Sequence, residues 1–167
     1  MSDLPLTGVE RHFNSNDLIV SKTDAKGRIT YANQVFLDIA DYSEEEVLDQ
    51  PHSIIRHPDM PRCVFKLLWD TIAAGQEVFA YVLNRAKNGD HYWVFAHVTP
   101  SFDENRNIIG YHSSRRVPRK EPLETIKGLY QQLLAKEDSF SNRKEGMQAA
   151  TDMLLGILAS KDISYDE

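Results

Sequence analysis

Hydrophobic and polar residues alternate along some stretches of this chain and recur at helical spacing along others, and the two patterns predict its elements. β-prone runs at 18–21 and 28–31 flank a turn that contains Gly27, which predicts a hairpin. Helical spacing follows in 33–51, where Ser43 and Glu46 have the spacing of a capping box for a second short helix that ends at Pro51. A more apolar helical pattern then begins after Pro61 and ends at Gly75.

Three longer β-prone runs follow, at 77–86, 91–100 and 107–117, and Asn88-Gly89 between the first two is a strong hairpin signal. Amphipathic helical patterns at 121–137 and 143–161 end the chain. These elements predict an α+β domain with a five-stranded antiparallel sheet, short helices on one face, and two C-terminal helices. We expect an N-terminal cap segment at 1–16, a sheet domain at 17–118 and a helical tail at 119–167.

The strand predicted at 91–100 is apolar on both faces. Tyr92, Val94, Ala96 and Val98 point one way, and Trp93, Phe95 and His97 point the other way. One face packs into the domain, whereas Trp93 and Phe95 join Tyr81 and Leu83 of the preceding strand in a patch too large to leave in water. We therefore expect a helix or a second subunit to cover it, which makes a homodimer through this face or through the C-terminal helices one candidate assembly.

Composition narrows the class of protein. The chain has 167 residues, is 41% hydrophobic and 26% charged, and carries a net charge of −6, which is typical of a soluble globular protein. No basic stretch favours nucleic acid or an anionic membrane as a partner, and no apolar run approaches the roughly 20 residues of a membrane span. The N-terminus lacks an apolar signal core and Cys63 is the single cysteine, so we expect a cytoplasmic protein.

The segment RHPDMP at 56–61 is the first candidate site. Its prolines limit the conformations of the loop and lower the cost of ordering it around a ligand. Arg56 carries a planar guanidinium that suits a phosphate or an adenine ring, although a local ion pair with Asp59 explains the same residues without a ligand. Asn84 lies in an otherwise apolar strand, where its amide needs a partner on the backbone or on a ligand. Serine, histidine and acidic residues lack the spacing of a catalytic triad or a zinc site, so we expect neither an enzyme nor a metal site.

RHPDMP, Phe65, Trp69, LNRAKNGDHYWV and GYHSSRR together closely resemble the PAS module of bacterial aerotaxis receptors, over roughly 16–116. That family binds FAD non-covalently and reports its redox state to the chemotaxis machinery. The resemblance implies a PAS fold, with a PAS sensor domain at 17–118, and a signalling partner that includes chemotaxis proteins among the candidates. It also implies that the amide of Asn84 faces flavin N5 or O4. The cofactor-binding residues that it implies are Asn33, Arg56, His57, Asp59, Phe65, Trp69, Asn84 and Tyr92.

The sequence departs from the family pattern in two places and leaves alternatives open. A family tryptophan is replaced within VFA at 78–80, and an expected acidic residue is Leu67. FMN is an alternative to FAD. Haem, which some PAS domains bind through a histidine, would use His57, and in a ligand-free PAS interaction module RHPDMP would be only structural. Cys63 lacks the sequence context of a light-sensing flavin-thiol adduct and is interpreted as an ordinary helix residue.

Overall fold

The computed structural model describes residues 5–160, with side chains described as far as residue 155. Five strands form one antiparallel sheet: β1 (Ile19–Asp24), β2 (Ile29–Ala32), β3 (Val78–Arg85), β4 (His91–Phe102) and β5 (Ile108–Arg116). Their order across the sheet is β2-β1-β5-β4-β3, so β5 lies at the centre and β3 at one edge. The predicted five-stranded antiparallel sheet is confirmed, although β1 and β4 extend beyond the predicted runs.

Short helices connect β2 to β3 and pack on one face of the sheet. They are α1 (Gln34–Ala40), α2 (Glu44–Val47), a 3-10 turn (His52–Ile55) and α3 (Arg62–Ala73). The predicted capping box is present, since the Ser43 hydroxyl accepts the Glu46 N–H and the Glu46 carboxylate accepts the Ser43 N–H. Helix α3 contacts β3 and β4, which places it over the half of the sheet that ends at the β3 edge.

Two C-terminal helices, α4 (Lys120–Asp138) and α5 (Arg143–Ser160), pack against each other and against α3. The hydroxyl of Tyr130 in α4 donates to the Tyr81 carbonyl of β3 at 2.6 Å, and its ring lies 6.0 Å from the Trp93 ring. A helix therefore covers the Trp93 part of the outer sheet face, as the alternation predicted. The predicted cap and tail also include residues 1–4 and 161–167, which lie outside the described residues.

The N-terminal segment docks on the turn between β3 and β4. Arg11 forms an ion pair with Asp90 at 2.8 Å, and the Thr7 hydroxyl also donates to Asp90. These hydrogen bonds, with one from Asn88, lower the pKa of Asp90 to about 2. Gly89 has a φ of 100°, and a Cβ there would lie 2.1 Å from the Pro5 carbonyl, so the turn requires glycine.

Within the part of the chain that the structure describes, no helix is both long enough and apolar enough to span a membrane.

Candidate functional site

A cavity of about 350 Å³ lies between the inner face of the sheet and α3. Four strands, the segment around the 3-10 turn and α3 all contribute side chains to its wall. Most of this wall is apolar, which suits a flat, largely hydrophobic ligand held by a few polar groups. The aliphatic lining residues are Ile55, Leu68, Ile72, Val82, Ala96 and Val98.

Asn84 presents an unused hydrogen-bond donor to this cavity. It lies on β3, pairs with Tyr92 of β4, and forms an isolated backbone bridge with Arg56. The residue is only 3% exposed, and its Nδ2 has no acceptor among the described residues. A buried donor without a partner is costly. A hydrogen bond from Nδ2 to the backbone would have explained this amide without a ligand, but within the described chain Nδ2 forms none. The amide is therefore available to an acceptor on a ligand.

Arg115 supplies a second unused donor. It lies on the central strand β5 between Ile19 and Ala96, and is 2% exposed. One terminal nitrogen donates to the Ser21 hydroxyl and the other lies 3.3 Å from Nε2 of His52, whereas Nε has no acceptor among the described residues. Burial lowers the pKa of Arg115 to about 10, which keeps the guanidinium protonated at neutral pH.

His52 is neutral beside this cation. A guanidinium can only donate, so Nε2 of His52 must accept, which assigns the imidazole proton to Nδ1. Burial, followed by the charge of Arg115, lowers the pKa of His52 to about 3. The Ser21 hydroxyl lies 3.0 Å from the same nitrogen and links the two residues. The polar edge of the cavity is therefore rich in donors.

No carboxylate balances this edge within the part of the chain that the structure describes. None of the described residues that line the cavity is aspartate or glutamate, whereas Lys26, Arg56 and Arg115 all line it. A buried guanidinium without a counter-charge is unfavourable unless another acceptor compensates it. The cavity is therefore complementary to an electron-rich ligand that offers several acceptor atoms.

Aromatic side chains of α3 form the mouth of the cavity. Phe65 and Trp69 lie four residues apart on one face of the helix. The Arg56 guanidinium lies 4.1 Å from the centre of the Phe65 ring, and the 43% exposed Trp69 lies 5.3 Å from the Tyr111 ring. A local ion pair between Arg56 and Asp59 would have explained these residues without a ligand. Among the described residues Arg56 forms no ion pair with Asp59. The structure thus brings together four of the residues implied by the resemblance: Arg56, Phe65, Trp69 and Asn84.

Asn33 and Tyr92, two of the other implied residues, belong to the scaffold. The Asn33 Oδ1 accepts the N–H groups of Val20 and Phe36, and its Nδ2 donates to the Leu18 carbonyl. This side chain caps α1 and ties it to β1. Tyr92 is 1% exposed on β4, and burial raises its pKa. Neither residue lines the cavity.

His57 and Asp59 shape the loop that precedes α3. Nδ1 of the buried His57 accepts the Asp59 N–H at 3.0 Å, and its ring meets the His91 ring edge-on at 6.1 Å. The Asp59 carboxylate is 69% exposed and lies 4.0 Å from His57 Nδ1. These contacts hold the loop, and neither side chain lines the cavity.

Cys63 also lies outside the cavity lining, in the buried first turn of α3. Burial raises the pKa of its thiol to about 12, so the thiol stays protonated and is a poor nucleophile. This position agrees with the interpretation of Cys63 as an ordinary helix residue.

The donors on the polar edge of the cavity were not predicted from the sequence. Tyr111, Ser113 and Arg115 alternate along β5, and all three line the cavity. Polar residues at inward positions of a central strand are a signal that strand alternation alone can find. The sequence motif GYHSSRR contains all three residues but predicts no role in the site for any of them.

Comparison with known proteins identifies the fold. The family described as the PAS fold matches residues 29–115. The chain is 40% identical to the aerotaxis receptor of Escherichia coli (strain K12) over 117 residues, which are 70% of this chain and 23% of the receptor. It is 29% identical over 97 residues to a nitrogen fixation regulatory protein of Klebsiella pneumoniae, covering 58% of this chain and 20% of that protein. The chain thus spans less than a quarter of either relative.

Among solved structures, the chain resembles the dark structure of the blue-light photoreceptor Aureochrome1 LOV. The TM-score is 0.59 at 24% sequence identity, and the match covers 66% of this chain and 82% of that chain. At this identity the likeness concerns the fold alone. It agrees with the antiparallel sheet and its helical layer.

Proposed function

The chain belongs to the PAS-fold family, and on that premise we propose that its cavity binds FAD non-covalently and that the protein is a redox or oxygen sensor rather than an enzyme. The observation that carries the proposal is the pair of buried, unpartnered donors, Asn84 Nδ2 and Arg115 Nε, in a cavity whose described lining contains no carboxylate. A flavin ring has acceptors along one edge and an apolar body, which match this division of the wall.

The residues fit a flavin better than a haem. His57, the histidine that the resemblance would offer to haem iron, does not line the cavity. His52 does line it, but its Nε2 accepts from Ser21 and faces the Arg115 cation, which opposes metal coordination. FMN shares the ring with FAD, so the cavity alone supports either flavin, and Arg56 at the mouth favours a ligand with phosphate outside the ring.

A bound flavin supplies reversible electron transfer, and its reduction can turn the N5 acceptor into a donor. The Asn84 amide can respond because it carries both an acceptor and donors on one rotatable group. Asn84 shares β3 with Tyr81, whose carbonyl accepts from Tyr130 of α4. We infer that rotation of this amide displaces β3 and, through β3, the C-terminal helices. A signalling partner, chemotaxis proteins among the candidates, binds these helices and responds to their displacement. The lone buried cysteine fits a reducing cytoplasm.

Absorption spectroscopy of the purified protein, before and after incubation with FAD, tests the proposal. We expect the two-banded spectrum of an oxidised flavin, removed by denaturation because no covalent bond holds the cofactor. Asn84→Ala should weaken flavin binding by up to about tenfold, since one buried hydrogen bond contributes about 0.5–1.5 kcal/mol. Asn16→Ala, at an exposed position, is the matched control. A Soret band, or a protein that binds no flavin, would overturn the assignment.

A further inference from the structure

A second cavity, of about 610 Å³, adjoins the first and shares Arg56 with it. The segment before α3, the end of β3, the end of α4 and the start of α5 all contribute to its wall. The C-terminal helices therefore form part of a basin that begins where the first cavity ends. We call this space the basal basin, and among its lining residues are Arg62, Arg85 and Arg143.

The described wall of the basal basin is strongly cationic. Four guanidinium groups line it, those of Arg56 and the three arginines just named, whereas Glu137 and Asp138 contribute two carboxylates. Burial lowers the pKa of Arg56, the nearby Glu137 carboxylate opposes this shift, and the charges of Arg143 and Arg62 add to it. Arg143 and Arg62 repel Arg56, and an anionic ligand in the basin would relieve this repulsion.

Glu137 supplies part of the compensating negative charge, since its carboxylate lies 3.9 Å from Nε of Arg62, but both of its oxygens are already engaged with the backbone. Its two carboxylate oxygens accept the N–H groups of Arg62 and Cys63 at 3.0 Å each, and so cap the first turn of α3. The helix end is therefore closed to a ligand. Arg143, by contrast, is exposed at the start of α5 and forms no ion pair among the described residues. The anion site of the basal basin consists of side chains, not of a helix terminus.

We propose that Arg143 joins Arg56 in binding the diphosphate of a flavin dinucleotide, so that the C-terminal helices are part of the cofactor site. This inference rests on the proposed function. In the proposed arrangement the flavin ring occupies the first cavity, and the diphosphate and nucleotide half of FAD extends past Arg56 into the basal basin. Guanidinium groups suit a diphosphate because they donate two parallel hydrogen bonds to phosphate oxygens. If docked α5 raises the affinity for the dinucleotide by some factor, thermodynamic linkage requires the bound dinucleotide to raise the equilibrium constant for α5 docking by the same factor.

Affinities for FAD and for riboflavin, measured on the full chain, test the inference. Riboflavin carries the same ring without phosphate, so it reports on the first cavity alone. Arg143→Ala should weaken FAD binding by about tenfold or more and leave riboflavin binding unchanged, since a hydrogen bond to a charged group contributes about 1.5–3 kcal/mol. Lys144→Ala, at the next exposed position of the same helix, is the matched control and should change neither affinity.

Amide hydrogen exchange of α5 gives a readout that does not depend on affinity. FAD should slow exchange in α5 of the wild-type protein, riboflavin should not, and Arg143→Ala should abolish the difference. The role of the basal basin would be overturned if Arg143→Ala weakened FAD binding and riboflavin binding equally. It would also be overturned if FAD and riboflavin protected the α5 amides to the same extent. A wild-type protein that binds neither flavin would instead overturn the proposed function. ADP that binds without weakening riboflavin would place the nucleotide in the basal basin as a separate ligand and contradict a single dinucleotide site.

Discussion

Glu137 makes the most informative contact between the C-terminal helices and the sheet domain, and its removal should loosen α3. The residue is 2% exposed at the end of α4, and it accepts two backbone N–H groups of the first turn of α3. In Glu137→Ala both groups lose their acceptor. The N–H of Cys63 is buried and cannot turn to water, whereas that of Arg62 is partly exposed.

The magnitude follows from these two donors. Leaving a buried donor unsatisfied costs about 1–3 kcal/mol, and the partly exposed donor adds less because water can replace the carboxylate. Relief of the desolvation of Glu137 offsets part of this loss. We therefore expect Glu137→Ala to lower the free energy of unfolding by about 1–3 kcal/mol, which corresponds to a fall of roughly 2–12 °C in the melting temperature of a protein of this size.

The pH dependence of the unfolding free energy distinguishes the effect of the Glu137 charge from the effect of its size and shape. Burial raises the pKa of this carboxyl above its ordinary value of 4.5. The folded protein therefore holds the proton more tightly than the unfolded chain, so this group's contribution to stability falls as the pH rises from about 4.5 through the raised folded pKa. Glu137→Gln keeps an acceptor and does not titrate, so its unfolding free energy should lack that decline.

Urea unfolding between pH 4 and pH 8, with exchange rates of the Arg62 and Cys63 amides, provides the assay. Asp138→Asn is the matched control, because it removes an adjacent, exposed carboxylate in the same turn and so tests the effect of charge alone. Wild-type stability in Glu137→Ala, or unchanged protection of the two amides, would refute the reasoning that this carboxylate caps α3.

Three further predictions follow from the packing around the sheet domain. A Cβ at Gly146 would lie 2.4 Å from the Glu137 carbonyl, so Gly146→Ala should displace α5 and lower the melting temperature, whereas Gly128→Ala, with nothing within 4 Å, should stabilise α4 by up to about 1 kcal/mol. Trp93→Asp should release α4, seen as faster proteolysis of the tail, while riboflavin binding persists because Trp93 does not line the first cavity. Asp90 holds the N-terminal segment, whose Val9 carbonyl accepts the His91 N–H, so Asp90→Asn should expose the His91 amide to rapid exchange. In the wild type, hydrogen bonding lowers the pKa of Asp90 from 3.8 to about 2, so the docking of this segment should be complete above pH 3.8 and be lost as the pH falls toward 2.

Local patterns were sufficient for the elements of this fold. Alternation identified the strands, and Ser43 with Glu46 marked a helix start that the structure confirms. The contact of Glu137 with α3 was beyond such patterns, because it joins residues separated by 74 and 75 positions in the chain. A glutamate in an amphipathic helix is ordinarily solvated, and its burial follows only from how α4 docks.

The candidate site was predictable where a residue type was unusual for its surroundings. Asn84 stood out as an amide in an apolar strand, and Arg56 as a cation in a proline-rich loop, and both line the cavity. Asn33 was also implied as a ligand contact, but its Oδ1 caps α1 and its Nδ2 donates to the Leu18 carbonyl. The place of Arg115 in the site was not predicted, because its inward orientation depends on the register of β5 against both neighbouring strands.

The most direct test of the central claim is side-chain NMR of the amide and guanidinium groups during a riboflavin titration. If the flavin ring lies against the polar edge, the Asn84 Nδ2 and Arg115 Nε resonances, whose nitrogens have no acceptor in the described protein, should shift in proportion to saturation. The Nδ2 resonances of Asn33, which donates to the Leu18 carbonyl, should stay in place. Saturable riboflavin binding that leaves both Asn84 and Arg115 unshifted would contradict the account.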